Sequence, residues 1–275
     1  MILPLWLGDN PTFPDPRTAH HHGLLALGGD LGSERLLAAY RMGIFPWFGP
    51  DDPIMWWSPD PRAILFPREF HLARSLLRRL RKNDYVIRLD YAFAEVIQIC
   101  AAIPRAGENG TWIVPEMIEA YSALHAEGHA HSVELWLRPD ESPHSPAADM
   151  PLIYDEKGYT LAGGCYGVEV NSVFCAESMF SRVRDASKIS LAALICLAIA
   201  RRAEGHNEIR ALDCQFLTAH LASLGAREIS RQDYLGLLAQ DMQAEQNTIS
   251  GQDWRRQQAL FDDESWPNEL ARMLH

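Results

Sequence analysis

Apolar residues in the larger part of the chain follow two alternating spacings, one typical of helices and one typical of strands. From about residue 65 onward this pattern predicts helices and strands with one hairpin among them. Helices are predicted at 71–83, 91–103, 110–128 (after a turn), 185–205 and 218–226, strands at 85–90, 131–137 and 209–217, and a strand edge followed by a helix at 227–240. Such an interleaved order predicts an α+β or α/β layered domain.

The hairpin, LAGGCYGVEVNSVFCAESMFSR at 161–182, contains residues that a hairpin made only for the core does not need. Its strands meet at Asn171-Ser172. Glu177 interrupts the apolar second strand, and the weak strand formers Gly163 and Gly164 interrupt the first. Strict alternation places Cys175, Glu177 and Met179 on one face and Phe174, Ser178 and Phe180 on the other, unless a bulge intervenes. We therefore expect the hairpin to form one wall of a pocket.

Residues 1–64 are rich in proline, glycine and tryptophan and predict a small N-terminal domain. It holds one clear helix, with Ser33 as the expected N-cap and Gly43 just after its end. The glycine-rich run at 23–32 matches neither a dinucleotide fingerprint nor a P-loop, so we expect a turn there. The prolines at 44–66 exclude a long regular element. The tryptophans of that segment are Trp47, Trp56 and Trp57. For any single one a place in the core is favoured, whereas the three together in a proline-fixed segment are expected to line a shared wall.

The remaining segments complete the predicted organisation. A larger domain, the expected catalytic domain, spans 65–240, and a loop rich in Pro, Ser, Asp and Glu is inserted in it at 138–158. The tail at 241–275 is polar with isolated Trp254 and Trp266, and we expect it to drape over the surface or to be partly disordered. With 275 residues and 47% hydrophobic content the chain has ample material for a large core.

Composition and charge limit the cellular compartments and the classes of binding partner that are expected for this chain. No apolar run approaches the ~20 residues of a membrane span, and the N-terminus lacks the pattern of a signal peptide. Five cysteines without paired spacing predict reduced thiols in a cytoplasmic protein, with Cys100 and Cys196 in the core. The net charge of −11 argues against nonspecific binding to polyanions. A local basic patch still predicts phosphate contact, and its cations are Arg74, Arg78, Arg79, Arg81 and Lys82.

Two groups of side chains raise candidate chemistry. Histidines at 20–22 and 125–131 invite a metal hypothesis, but the glutamate that follows in zinc hydrolases is absent, so capping and core roles are favoured. In the strand LDCQFL, Asp213 and Gln215 share one face and Leu212, Cys214 and Phe216 take the other. A carboxylate beside an amide on an inner face is either a hydrogen-bonded pair at a strand end or a site that handles an amine.

Long segments of the chain together resemble the bacterial leucyl/phenylalanyl-tRNA–protein transferases. The resemblance covers most of residues 13–240 in the same order. The segments are GLLALGGDLGSERLLAAYRMGIFPWF, DPIMWWSPDPRAIL, GTWI, EAYSALHAEGHAHSVELW, GGCYGVEVNSVFCAESMFSR, ASK and LDCQFLTAHLASLGAREISRQDYL.

This resemblance implies an enzyme that takes leucine or phenylalanine, less readily methionine, from aminoacyl-tRNA. It would attach the amino acid to the N-terminal arginine or lysine of a protein and so mark that protein for degradation by the N-end rule. The implied fold is α+β, with a small N-terminal domain and a GNAT-like acyltransferase domain in which helices flank a central mixed sheet. The resemblance implies a monomer and neither metal nor coenzyme A.

The resemblance also assigns roles by position. Gln215 would accept a hydrogen bond from the attacking α-amine, and Asp213 would either orient Gln215 or hold the basic side chain of the acceptor. Glu177 would place the substrate amines, and Gly163 and Gly164 would let the aminoacyl adenosine approach the backbone. Substrate-pocket positions fall on Trp47, Trp112, Cys165, Phe174, Ser178 and Leu194, of which Cys165 replaces a methionine and Leu194 a phenylalanine. The basic patch at 74–82 falls near the tRNA-facing residues.

Two alternatives remain open from the sequence. One is a related tRNA-dependent aminoacyl transferase with a different acceptor, such as a peptidoglycan-type enzyme with the same fold and donor. The other is a non-catalytic tRNA-binding module, for which Asp213 and Gln215 would be dispensable.

Overall fold

The computed structural model describes residues 4–103, 111–141, 151–203, 208–239 and 251–274. The described chain forms two β-sheets and a set of α-helices. The strands are β1 Leu5–Leu7, β2 Leu24–Gly28, β3 Phe45–Pro46, β4 Met55–Trp57, β5 Arg62–Leu65, β6 Tyr85–Leu89, β7 Ala130–Leu137, β8 Thr160–Val170, β9 Val173–Ser181, β10 Ala211–Gln215 and β11 Arg227–Ile229. The helices are α1 Ser33–Arg41, α2 Arg74–Leu80, α3 Phe93–Ala102, α4 Pro115–Ala126, α5 Ala186–Ala203, α6 Ala219–Ser223, α7 Arg231–Ala239, α8 Gly251–Arg256, α9 Ala259–Asp262 and α10 Trp266–Met273.

A seven-stranded mixed sheet with the order β11-β5-β10-β9-β8-β7-β6 is the centre of the fold. Its strands pair antiparallel except for β9 and β10, which run parallel. Helices cover both faces, which confirms the predicted α+β class. The more specific likeness to GNAT acyltransferases stays a prediction, as does the division at residues 64 and 240. Strand β5 already belongs to the large sheet, although it begins at Arg62.

Two apolar cores lie on opposite faces of this sheet. On one face α1, α3, α4 and the small N-terminal sheet pack together, with Trp56, Tyr121 and Tyr166 among the fully buried side chains. On the other face α5 packs with α2 and the C-terminal helices. Cys100 and Cys196 are buried in these cores, as predicted. None of the helices in the described ranges is long and apolar enough to cross a membrane.

The N-terminal part is more regular than the sequence predicted. Its four short strands form a sheet in the order β1-β2-β4-β3, and the run expected as a turn contains β2. The error has a physical cause, since the glycines lie at the two ends of the strand, Gly23 just before it and Gly28 at its end, while the apolar residues between them form it. Helix α1 has Gly32 as its N-cap, while the hydroxyl of Ser33 bonds Glu127 instead. Gly43 follows the helix with a φ of 73°, as predicted.

A β-bulge in the hairpin changes the faces that alternation predicted. Tyr166 pairs with Ser178 and Gly167 with Ala176, so Glu177 is the extra residue on β9. The alternation of residues after the bulge is therefore reversed relative to the residues before it. Cys175 packs in the same core as Phe180 rather than opposite it. The simple alternation was wrong from Glu177 onward for this reason. The bulge re-aims the glutamate away from a regular strand position.

The described part of the C-terminal tail is folded and not draped, which corrects the expectation for that segment. Trp254 and Trp266 are buried, together with Phe261 and Leu270, and α9 and α10 pack against β6, α2 and α5. The apolar residues of the tail lie too far apart in sequence to signal a core, but three short helices bring them to one side. Residues 240–250 and 142–150, the latter within the predicted insertion, lie outside the described residues.

Gln258 of the tail caps the open edge of β6. Its side-chain amide donates to the carbonyl of Ile87 at 2.9 Å and accepts from the amide of Leu89 at 3.0 Å. These two groups point away from β7, because Asp90 and Asp84 make the adjacent bonds to that strand. One side chain thus takes the place of a neighbouring strand's peptide group.

Candidate active site

Glu177 lies at the end of a network of hydroxyl groups from two helices. Tyr40 of α1 donates to its Oε1 at 2.6 Å, and Tyr121 of α4 donates to its Oε2 at 3.1 Å. Burial raises the pKa of Glu177 to about 7, although the two tyrosine hydrogen bonds oppose the shift. Both tyrosines are fully buried, and burial raises their pKa well above the usual range. Glu177 is therefore a carboxyl group able to exchange a proton near neutral pH.

The hydrogen-bond directions in this network depend on the protonation state of the glutamate. Tyr40 and Tyr121 also hydrogen-bond each other through their hydroxyl oxygens. Two hydroxyl protons serve three oxygen–oxygen contacts, so one contact lacks a hydrogen when Glu177 is ionised. When Glu177 is protonated, all three contacts are satisfied in a ring. Burial therefore favours the protonated glutamate, in which one tyrosine accepts a hydrogen bond from the carboxyl group, whereas donation from both tyrosines favours the ionised form.

Asp213 is fully buried, and four donors occupy both of its oxygens. Arg62 of β5 donates from Nε to Oδ1 at 2.8 Å and from Nη2 to Oδ2 at 2.6 Å. The hydroxyl of Tyr234 donates to Oδ2 at 2.8 Å, and the backbone amide of Gln215 donates to Oδ1 at 3.0 Å. A carboxylate has about four acceptor positions, so this one has none left for a substrate. Of the two roles left open, the geometry favours orientation of Gln215.

Arg62 and Tyr234 are site residues that the sequence did not predict. The signal for Arg62 was a cation at the start of the apolar run RAIL, which a buried strand tolerates only with a partner. No periodicity could identify the partner, because Asp213 lies 151 residues away along the chain. Tyr234 carried no sequence signal beyond an aromatic residue in a helix.

Gln215 adopts a left-handed backbone conformation with a φ of 56°. The pairing of β10 with β5 shifts between Asp213 and Gln215, so the two residues do not share a face as alternation predicted. Asp213 points into the protein, while Gln215 lines an open cavity. A non-glycine residue at this φ costs on the order of 1–3 kcal/mol, which the surrounding contacts must offset. The hydrogen bond from the backbone amide of Gln215 to the Asp213 carboxylate is one such contact.

A cavity of about 400 Å³ brings the candidate chemical groups together. Its polar members include Glu177 and Gln215, and its apolar walls come from the N-terminal part and the end of β10. Trp47 packs against Phe216 with 5.7 Å between ring centroids, and Phe45 meets the same ring at 6.0 Å. The lining residues are Phe45, Pro46, Trp47, Trp112, Ala176, Glu177, Ser178, Met179, Cys214, Gln215, Phe216, Thr218, His220 and Leu221.

The predicted pocket residues divide into two groups. Trp47, Trp112 and Ser178 line this cavity. The other three are buried in the core opposite the N-terminal sheet and do not line it, and they are Cys165, Phe174 and Leu194. The contact of either group with a substrate stays a prediction. The expected tryptophan wall is wrong for Trp56, which is fully buried in the core.

Close packing within the protein accounts for the two hairpin glycines. A Cβ on Gly163 would lie 2.5 Å from the Cβ of Ala186, at the start of α5. A Cβ on Gly164 would lie 3.0 Å from Phe180 and 3.3 Å from the carbonyl of Val133. The space beside both glycines is thus filled by protein side chains and backbone. Their role in the approach of a substrate stays a prediction.

The basic patch is a mixture of free and engaged cations. Arg79 pairs with Asp84 at 2.6 Å, and Arg81 donates to Asn268 of the tail at 2.9 Å. Within the described ranges the remaining cations are exposed and form no ion pair, and they are Arg74, Arg78 and Lys82. These three are the cations best placed to meet an external phosphate.

Two of the described histidines at 125–131 make contacts with core groups. His125 contacts the carbonyl of Ala130 at 2.8 Å and stacks on Phe93, and His131 contacts Asp90 at 2.8 Å. These are the core roles that the sequence favoured. Within the described chain, the ring nitrogens of residues 20–22 lie within 4.8 Å of one another in an exposed turn of the N-terminal part.

Comparison with protein families gives two adjoining matches. The profile described as "Leucyl/phenylalanyl-tRNA protein transferase" matches residues 64–141 and 153–239. The profile described as "Leucyl/phenylalanyl-tRNA protein transferase N-terminal domain" matches residues 29–60. The interruption between residues 141 and 153 falls inside the predicted insertion. The helices of the C-terminal tail lie beyond both matches.

Curated proteins with the name "leucyl/phenylalanyl-tRNA–protein transferase" are similar over most of the chain. The one from Chromobacterium violaceum is 48% identical over 239 residues, covering 86% of this chain and 91% of its own length. The one from Nitrosomonas europaea is 52% identical over 213 residues, covering 78% and 79%. The one from Shigella dysenteriae is 47% identical over 230 residues, covering 83% and 86%.

Proposed function

The chain belongs to the leucyl/phenylalanyl-tRNA protein transferase family, and we propose from this membership that it transfers leucine or phenylalanine, less readily methionine, from aminoacyl-tRNA to proteins. The acceptor is the N-terminal arginine or lysine, and the product is marked for degradation by the N-end rule. One observation carries the proposal at the level of the site. A single cavity joins apolar aromatic walls to Glu177 and Gln215, two groups that can bind an amine.

The reaction is aminolysis of an ester. The neutral α-amine of the acceptor attacks the ester carbonyl, a C–N bond forms, and the C–O bond to the 3′-oxygen of the tRNA breaks. The amine loses a proton and the departing oxygen gains one. Positioning supplies most of the rate in such a reaction, because the ester is already activated. This chemistry calls for an amine acceptor and a proton acceptor close to an apolar side-chain pocket.

Gln215 is proposed to accept a hydrogen bond from the attacking amine, which fixes the direction of its lone pair. Asp213 is proposed to hold Gln215 in place and not to bind the acceptor side chain. The occupation of its oxygens by Arg62, Tyr234 and the Gln215 amide supports this choice.

Glu177 is proposed to place the acceptor amine and to take up its proton. A pKa of about 7 suits this role, since the ionised and protonated forms are then both populated at neutral pH. The proton would complete the hydroxyl ring with Tyr40 and Tyr121. Delivery of the proton to the departing oxygen can follow from the same carboxyl group.

The exposed cations Arg74, Arg78 and Lys82 are proposed to contact phosphates of the tRNA. They form a local positive surface on a chain whose net charge is −11. Local cations act in spite of the net charge because salt limits the range of exposed charges to about 8 Å. The pocket for the leucine or phenylalanine side chain is proposed to include Trp47 and Trp112.

The test uses purified protein, radiolabelled Leu-tRNA or Phe-tRNA, and two peptides that differ in starting with arginine or alanine. We expect label on the arginine peptide and none on the alanine peptide. Gln215→Ala should abolish transfer with unchanged tRNA binding. Label on neither peptide with tRNA still bound would reject the proposed acceptor and favour a related transferase. Full function of the Gln215 variant in every assay would favour a non-catalytic tRNA-binding module.

A further inference from the structure

Arg62 connects the two sides of the catalytic cavity through buried contacts. From β5 it donates to both oxygens of Asp213, which in turn accepts a hydrogen bond from the backbone amide of Gln215. Its third nitrogen, Nη1, donates to the carbonyl of Gly43 at 3.1 Å. Gly43 lies two residues before Phe45, which begins the aromatic wall of the cavity. One guanidinium therefore contacts the chain on the amine-binding side and the chain on the aromatic side.

Tyr234 of α7 completes the same junction. Its hydroxyl donates to Oδ2 of Asp213, and its ring lies 4.6 Å from the Arg62 guanidinium. The Phe45 ring also contacts that guanidinium, at 4.7 Å. A Cβ on Gly43 would lie 3.0 Å from Tyr234, so the N-terminal chain packs directly against this helix. Arg62 is thus held by two aromatic rings and three acceptor atoms.

We infer that Arg62 and Tyr234 are positioning residues for aminoacyl transfer, which set the Gln215 side chain at a fixed distance from the aromatic wall at 45–47. The inference rests on the proposed transferase function and adds two residues to it. The amine held at Gln215 must reach the ester carbonyl of an aminoacyl group whose side chain lies against that wall. Errors of about 1 Å in such an arrangement cost on the order of a hundredfold in rate.

The left-handed backbone at Gln215 makes this positioning sensitive. The backbone amide of Gln215 donates to Asp213 Oδ1, and this contact helps to hold the strained φ. Arg62 and Tyr234 in turn hold the Asp213 carboxylate in one orientation. Loss of either donor therefore reaches the reacting groups through Asp213, without a direct contact to substrate.

The test compares Arg62→Lys and Tyr234→Phe with wild type in the peptide assay, and Arg201→Lys serves as the matched control. Arg201 forms a similar buried bidentate pair with Glu169, but this pair lies among β8, α5 and Trp254. We expect Tyr234→Phe to lower kcat about tenfold, as loss of one hydrogen bond to a charged group predicts, with tRNA affinity and the leucine/phenylalanine ratio unchanged. Arg62→Lys should lower kcat further, because lysine cannot serve three acceptors in one plane.

The readouts separate positioning from a merely structural role. Arg201→Lys should lower the thermal midpoint comparably to Arg62→Lys but leave kcat unchanged. The inference is overturned if Tyr234→Phe and Arg62→Lys both keep the wild-type kcat, or if Arg201→Lys loses the same activity at the same loss of stability. A wild-type protein without transfer to the arginine peptide would instead reject the proposed function itself.

Discussion

Tyr40 donates a hydrogen bond of 2.6 Å to Oε1 of Glu177, and this contact links the N-terminal helix α1 to the bulge in β9. The glutamate is the extra residue of β9 at its pairing with β8, so the ladder does not fix its side chain. Its position therefore depends on the hydroxyl of Tyr40 as much as on the sheet. A substitution in α1 can thus alter the candidate chemistry in β9.

The rate of transfer should depend on the ionisation of Glu177. With a pKa of about 7, the form able to accept a proton increases as pH rises through neutrality. We expect kcat to rise between about pH 6 and pH 8, and Glu177→Gln to lower kcat and remove this inflection. The measurement is a pH–rate profile of peptide transfer. Glu119→Gln, an exposed glutamate on α4, is the control, and an unchanged inflection in Glu177→Gln would reject the assignment.

Ionisation of Glu177 should lower the folding stability as pH rises, in contrast to its effect on kcat. The folded pKa of Glu177 lies above the ordinary value of 4.5, so its contribution is fully present below that value and is lost as pH rises through about 7. Glu177→Gln should therefore lessen the loss of stability between about pH 5 and pH 8. Urea unfolding at several pH values measures this slope. A steeper slope in the variant would contradict the raised pKa.

Binding of tRNA should depend on the exposed cations of α2. Arg74→Gln and Arg78→Gln should each weaken binding and reduce the slope of log affinity against log salt by about 0.7–0.9 for each phosphate that the variant no longer neutralises. Arg227→Gln is the matched control, because Arg227 is an exposed cation on β11 at the opposite edge of the sheet from β6. Equal slopes for all three variants would remove α2 from the RNA interface.

The size of the side-chain pocket should respond to Met179, which lines the cavity beside Glu177. Met179→Ala enlarges the cavity and should raise transfer of phenylalanine relative to leucine by about tenfold. The ratio of kcat/KM for the two donors measures the effect. Cys165→Met provides the contrast, since Cys165 is buried away from this cavity. That variant should lower the thermal midpoint through overpacking, and a changed donor ratio would show that Cys165 reaches the substrate.

The tail should contribute to stability although it lies beyond the family matches. Trp254 is fully buried and donates from Nε1 to Glu169 at 2.6 Å. Trp254→Ala should lower the free energy of unfolding by about 3–5 kcal/mol, as large-to-small changes in cores do. Trp6→Ala, at a tryptophan that is 65% exposed, should change it by less than about 0.5 kcal/mol. Equal effects in chemical denaturation would mean that the tail does not pack as described.

The sequence predicted the elements of the large domain because their apolar periodicity is strong. Helices α3 and α4 and the hairpin around Asn171-Ser172 lie close to their predicted bounds. Glu177 and Gln215 were predicted as polar residues of a pocket, and both line the cavity. Resemblance supplied their chemical roles, since pattern alone left a plain hydrogen-bonded pair as an alternative.

The errors share a physical cause, which is that local patterns do not report distant partners. The bulge at Glu177 depends on its pairing with β8, and the conformation of Gln215 depends on a carboxylate held by Arg62. The buried state of Trp254 depends on a surface made by α5 and β8. No spacing rule within either segment contains this information. Residues that hold other residues in place are therefore the part of the site that sequence reasoning misses.

The cap that Gln258 places on β6 has a consequence for synthesis of the chain. Gln258 lies 171 residues after Ile87, so the ribosome completes the strand long before it makes its cover. At ~5–20 residues per second this interval is on the order of 10 to 30 seconds. During that time the outward amide and carbonyl groups of β6 can pair with a strand of another nascent chain. The C-terminal helices thus end a vulnerable period of biogenesis.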